Sequence, residues 1–235
     1  MRLSGRVRTG VEGLDDLIEG GFLKGDVILL AGGSGSGKTI FSTQFIYNGA
    51  MQYGEKGVYA TFEEDAKTLR RNMFRLGFDL ERLEREGSIR VIDLEALKDE
   101  GLNANVEFIL SALEEINGKR LVIDSLTAFL TACPEKFEYR MFMHLIYRML
   151  KTRGITTIMT CSVPTSTQTL GLGIEEFVAD SVIVLRNVIE GLELKTRLLI
   201  QKMRGTNHSR KCHNVIITDK GLEIVPFTVG LGGKL

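Results

Sequence analysis

Residues 32–39 read Gly-Gly-Ser-Gly-Ser-Gly-Lys-Thr, the spacing G-x-x-x-x-G-K-T of a P-loop, or Walker A motif. A nucleoside triphosphate crowds several negative charges together and needs many donors in a small volume. Glycines let the chain curl until successive N–H groups point inward as a concave anion nest. The amides of Gly33, Ser34, Gly35, Ser36, Gly37, Lys38, Thr39 and Ile40 are the candidate phosphate donors, and they run into a helix N-terminus that favours anions. Lys38 would add a point charge on the β- and γ-phosphates, and Thr39 a hydroxyl for Mg²⁺. ATP or ADP with Mg²⁺ is the expected ligand set.

Three further groups could act on a phosphate held there. Asp124 closes the run Arg120-Leu-Val-Ile-Asp124, a Walker B pattern whose acid would hold Mg²⁺ beside Thr39. Glu63 and Glu64 follow the apolar run 57–62, whose end should lie near the γ-phosphate, where a carboxylate can orient or deprotonate a water. Thr61-x-x-Glu64 is also a capping-box spacing, so one acid can cap while the other faces water. Lys202 and Arg204 stand two apart in an extended run and should share a face. They are a solvated strand edge or a pair of phosphate contacts, within the subunit or from a neighbour. His208, His213 and Cys212 have no metal-ligand spacing.

The elements that must position these groups follow from apolar patterning. Runs 26–31, 57–62, 88–93, 120–124 and 155–160 read as buried strands. Helices are expected after the P-loop and over 66–76, 103–116 and 137–151, with a short amphipathic helix at Leu14, Leu17 and Ile18 that Gly20-Gly21 ends. Alternation of this kind implies βαβ units and a mostly parallel sheet, helices on both faces and the ligand at the strands' carboxyl ends. Past residue 174 the pattern changes to extended runs 180–189, 192–203 and 214–225, with hairpin turns at Gly191 and at Asp219-Lys220-Gly221. They should extend the same sheet in antiparallel fashion, within a single domain over 1–235, before a Gly-rich tail at 227–235.

Composition narrows the function classes. The 235 residues carry 30 basic and 30 acidic side chains, so bulk charge gives no argument for nucleic acid. Cys133, Cys161 and Cys212 are isolated, which fits a reducing compartment. No run approaches the length of a membrane span, and the cytoplasm is expected.

Taken together, Thr9-Gly10…Gly13-Leu14-Asp15…Gly20-Gly21, Gly32 to Thr39, Thr61-Phe62-Glu63-Glu64, Val122-Ile123-Asp124-Ser125 and Lys202-Met203-Arg204-Gly205-Thr206-x-His208 resemble a single KaiC-like domain of the RecA/RadA class of P-loop ATPases. The resemblance implies a RecA-like core, Mg-ATP, catalysis by the Glu63/Glu64 pair, and a ring, hexameric by expectation, in which Lys202 and Arg204 reach a neighbour's γ-phosphate. Two departures stand out. The clock members of the family carry two such domains and an autophosphorylated Ser-Thr pair, where this chain has Glu175-Glu176-Phe177 and so is not expected to be an autokinase. Thr160-Cys161-Ser162 also stands where relatives often place a longer Gln or Glu. The expected activity is slow ATP hydrolysis in a nucleotide-dependent switch acting on a protein partner. The competing readings are a RecA/RadA-type accessory that binds DNA and a protein kinase.

Overall fold

The structure, a computed structural model, describes residues 5–94, 102–131, 136–163 and 178–226. Short strands β1 (Arg6–Val7) and β2 (Phe22–Leu23) pair with each other. The main sheet is built from β3 (Val27–Gly32), β4 (Gly57–Thr61), β5 (Ile89–Asp93), β6 (Arg120–Asp124), β7 (Thr156–Ser162), β8 (Ser181–Glu190), β9 (Glu193–Met203), β10 (His213–Thr218) and β11 (Gly221–Pro226). Their order is β11-β10-β9-β8-β3-β7-β6-β4-β5. Neighbours from β8 to β5 run parallel, and β8 to β11 pair antiparallel, with the expected turns joining β8 to β9 and β10 to β11. This is the parallel sheet with an antiparallel extension that the patterning predicts.

Helices cover both faces because the central strands are apolar on both. Leu29, Ala31, Val58, Ala60 and Ile123 pack beneath α4 (Leu102–Ile116) and α6 (Lys136–Arg153). Ile28, Leu30, Tyr59, Val122 and Ile158 face α1 (Lys38–Tyr53), with α2 (Ala66–Phe74) and α3 (Leu80–Arg85) on the same side. The antiparallel extension curls back over α1. Gln44 shows this best: its amide donates to Leu222 O at 3.0 Å and its carbonyl accepts Leu222 N at 2.8 Å, so a helix side chain pairs with the backbone of β11. Between sheet and hairpin, α1 is buried from Phe41 to Ile46 and exposed at Met51, Gln52 and Tyr53 in its last turn, so its sequence shows little amphipathic pattern.

Arg120, the first residue of β6, is wholly buried. Its guanidinium meets Glu55 Oε2 at 2.6 Å and donates to Phe45 O and Arg8 O at 2.8 Å each. It also lies 4.5 Å over the Phe45 ring centre. Gly49 makes room for it, since a Cβ there would sit 2.4 Å from Arg120 Nε. The buried charge is thus paired and fully hydrogen-bonded, which is the condition for its tolerance.

Several expectations need correction. Leu14, Leu17 and Ile18 form only a 3₁₀ turn at Asp15–Leu17. Gly13 approaches Ile224 O so closely that a Cβ would lie 2.0 Å from it, and Glu19 and Gly20 turn left-handed directly after, which leaves no room for a second turn. This segment does cover the sheet edge, because Glu12 bridges to Glu223 on β11. The Thr61-x-x-Glu64 spacing is only half a capping box and starts no helix: Thr61 Oγ1 accepts Glu64 N at 3.3 Å, but the Glu64 side chain turns to Asn72. Asp65 caps α2 by accepting Thr68 N at 2.9 Å, while the Thr61 hydroxyl donates to Glu64 O. Two six-residue helices escaped the pattern reading: α3, capped by Asp79, and α5 (Leu126–Thr131), whose Ala128 N–H donates to Ser125 Oγ. Cys133, Glu175-Glu176-Phe177 and the tail at 227–235 lie outside the described residues.

Candidate active site

The carboxyl end of the sheet gathers the candidate residues. β3 delivers the P-loop there, and Gly32 is forced by packing: a Cβ would lie 2.7 Å from Leu185 O on β8 and 2.5 Å from Ser36 Oγ. Gly35 and Gly37 take positive φ of 70° and 91°, which curls the loop as the motif requires. Gly37 then starts α1 with no side-chain cap and no acid in the first turn. The free N–H groups at this helix start, with the positive end of the dipole, form an anion site.

Lys38 Nζ donates to Gly32 O at 2.9 Å and Gly33 O at 3.0 Å, at the mouth of the loop. Burial holds its pKa below the ordinary lysine value, against the opposing pull of Asp124 and Glu63. Thr39 Oγ1 donates to Asp124 Oδ2 at 2.9 Å, so Walker A hydroxyl and Walker B carboxylate are in direct contact. Their hard oxygen donors suit Mg²⁺, which keeps waters and phosphate oxygens in the rest of its shell. Thr39 and Asp124 are thus a fitting pair to hold it. Among the described residues no cluster of three or more His, Cys, Asp or Glu could hold a metal, and His208 and His213 are not brought together as ligands.

The two glutamates part company. Glu63 is exposed, accepts a hydrogen bond from Ser125 Oγ, and is close enough to Lys38 to act on its charge. Glu64 turns toward α2, where Asn72 Nδ2 donates to its Oε1 at 2.7 Å, and burial raises its pKa. Beyond the sequence reading, Tyr59 and Thr160 also reach Asp124, and Thr127 reaches the end of β7 by accepting Ser162 N at 2.9 Å. Tyr59 carried one usable signal, a phenol in the middle of a fully buried strand, whereas Thr160 is one of several hydroxyl residues in β7.

Lys202 and Arg204 are not in this cluster. β9 ends at Met203, so Arg204 lies in the following turn and not on a shared strand face. Lys202 pairs with Val182, level with Leu29, so it stands about 10 Å down the sheet from Gly32 at the rise of a strand. Its Nζ donates to Ala179 O at 2.7 Å, and Arg204 Nη1 is 4.0 Å from Asp180 Oδ1. Both cations therefore occupy the end of the sheet opposite their own P-loop. Among the described residues no helix is long and apolar enough to cross a membrane.

Comparison with known proteins agrees with this geometry. A family model described as "ATPase: KaiC" matches residues 7–229. The circadian clock oscillator protein KaiC of Synechococcus elongatus is 36% identical over 94% of this chain and 44% of its own length. The chain thus spans less than half of the clock proteins it matches. A UPF0273 protein of Pyrococcus furiosus is 34% identical, with 98% of both chains covered. The crystal structure of a KaiC-like protein from Pyrococcus horikoshii superposes with a TM-score of 0.85 at 42% identity, covering 94% of this chain and 99% of that one. The fold is RecA-like.

Proposed function

The chain belongs to the KaiC family of ATPases, and from that premise we propose that it binds Mg-ATP at the P-loop and hydrolyses it slowly. One observation carries the reading: Lys38, Thr39, Asp124 and Glu63 meet at one end of the sheet, in the arrangement that phosphoryl transfer needs. The amides at the start of α1 hold the phosphates, and Lys38 leaves the Gly32 and Gly33 carbonyls to stabilise charge on the β- and γ-phosphates. Mg²⁺, when bound, supplies charge neutralisation between the phosphate oxygens. Glu63 orients the attacking water for in-line displacement. Glu64 is left to hold α2 through Asn72.

Hydrolysis is slow in this account because Ser125 Oγ holds one oxygen of the Glu63 carboxylate. An arginine finger at the γ-phosphate is worth roughly 10³ to 10⁵ in rate. Lys202 and Arg204 lie at the far end of the sheet, and in this reading they serve a neighbour in a head-to-tail ring, hexameric by family resemblance. The ring would act as a cytoplasmic, nucleotide-dependent switch on a protein partner. Calorimetry with Mg-ATP, followed by phosphate release over hours, tests the reading. Micromolar binding with slow release is the expected result; no binding would refute it.

A further inference from the structure

Tyr59 is wholly buried in the middle of β4. Strand alternation turns it to the α1 face, while Val58 and Ala60 face the other way. A phenylalanine would fill the same apolar space without a polar atom to satisfy. The phenol instead donates to Asp124 Oδ2 at 2.5 Å. That oxygen also accepts Thr39 Oγ1 at 2.9 Å, and Asp124 Oδ1 accepts Thr160 Oγ1 at 2.6 Å. Three hydroxyls, from β4, α1 and β7, thus converge on one carboxylate at the end of β6. Thr160 and Tyr59 approach from the two strands that flank β6. With both oxygens held, the carboxylate cannot rotate away from Thr39.

We propose that Tyr59 is a positioning residue for the metal: it locks Asp124 against Thr39 and so sets how tightly the site holds Mg²⁺ with the nucleotide. The proposal rests on the P-loop being a Mg-nucleotide site. Burial and the neighbouring Asp124 charge push the Tyr59 phenol well above its ordinary pKa, so it stays a donor throughout the neutral range. Groups that orient a metal's ligands cost about 10- to 100-fold in metal affinity when removed. Loss of the Tyr59 hydroxyl should fall at the lower end, because Thr160 still holds the other oxygen.

The test is ATP binding to the full chain, followed by calorimetry in EDTA and at graded Mg²⁺, for wild type and Tyr59→Phe. ATP affinity in EDTA should agree within about two-fold, while the Mg²⁺ concentration for half-maximal effect rises roughly 10-fold. Saturating Mg²⁺ should then restore wild-type ATP affinity. Thr160→Val, which strips the donor from the other oxygen, should shift the Mg²⁺ dependence in the same direction. An unchanged Mg²⁺ dependence in Tyr59→Phe would overturn the proposal and leave the nucleotide site standing. So would loss of ATP binding in EDTA by Tyr59→Phe, if Thr160→Val kept the wild-type Mg²⁺ dependence, because Tyr59 would then act through core packing alone. A wild-type chain that binds no ATP in either condition defeats both the P-loop reading and the role of Tyr59.

Discussion

Lys38 sits at the mouth of the P-loop, and burial already disfavours its charge. Lys38→Ala should therefore weaken ATP and ADP binding by at least about 100-fold, the loss expected of a charge-assisted contact or two. Calorimetry with Mg-ATP measures it, and unchanged affinity would contradict the P-loop assignment. At this scale the sequence was informative wherever chemistry is local. The glycines, Lys38 and Thr39 are consecutive, so one stretch declares nest, cation and hydroxyl together. The division of labour between Glu63 and Glu64 was not legible, because it depends on Ser125 and Asn72, which lie on different elements. The contacts of Tyr59 and Thr160 with Asp124 went unread for the same reason: a strand hydroxyl finds its partner only through strand order, and neither strand states that β6 lies between them.

Helix α1 and strand β6 meet at both ends, through Thr39 and Asp124 at the site and through Gly49 and Arg120 beneath it. Arg120→Met would keep the packing volume but leave the Arg8 carbonyl and the Glu55 carboxylate without their donor. At about 1 to 3 kcal/mol for each buried polar group left unpaired, the destabilisation should reach about 3 kcal/mol. Thermal unfolding should show it as a Tm lowered by roughly 6 to 12 °C; a shift below one degree would show that the buried pair contributes nothing net. Arg120 read as an ordinary strand residue because no neighbour in sequence announces Glu55 or the gap at Gly49. The parallel strands were legible from their continuous apolar runs, since both faces are buried. Helices α3 and α5 were not, since six residues hold too little periodicity and only the caps Asp79 and Ser125 marked them. The curl of β11 over α1 was equally hidden, although Gln44, a buried amide in the middle of α1, was its trace.

At the scale of the whole molecule, the two ends of the sheet carry different groups. One end carries the P-loop and Glu63; the other carries Lys202 and Arg204, where Ala179 and Asp180 engage them. In the ring we propose, Arg204→Ala should lower phosphate release by about 10³ or more while ATP binding changes little. Mixing Arg204→Ala with Glu63→Gln chains should restore part of the rate, because a site can take its acid from one chain and its cation from the next. Sedimentation in ATP that shows only monomer, with a rate per chain independent of concentration, would defeat the shared site. The Glu175-Glu176-Phe177 stretch leads to a further expectation, that intact mass after incubation with Mg-ATP shows no added phosphate; a stoichiometric adduct would favour the kinase reading. The central claim, that this fold hydrolyses ATP with Glu63 orienting the water, meets its most direct test in phosphate release by Glu63→Gln and Glu64→Gln separately, beside ATP affinity for each. Glu63→Gln should bind ATP as wild type does and release phosphate about 10² to 10⁴ times more slowly, with Glu64→Gln much closer to wild type. A Glu63→Gln chain that releases phosphate at the wild-type rate would contradict it.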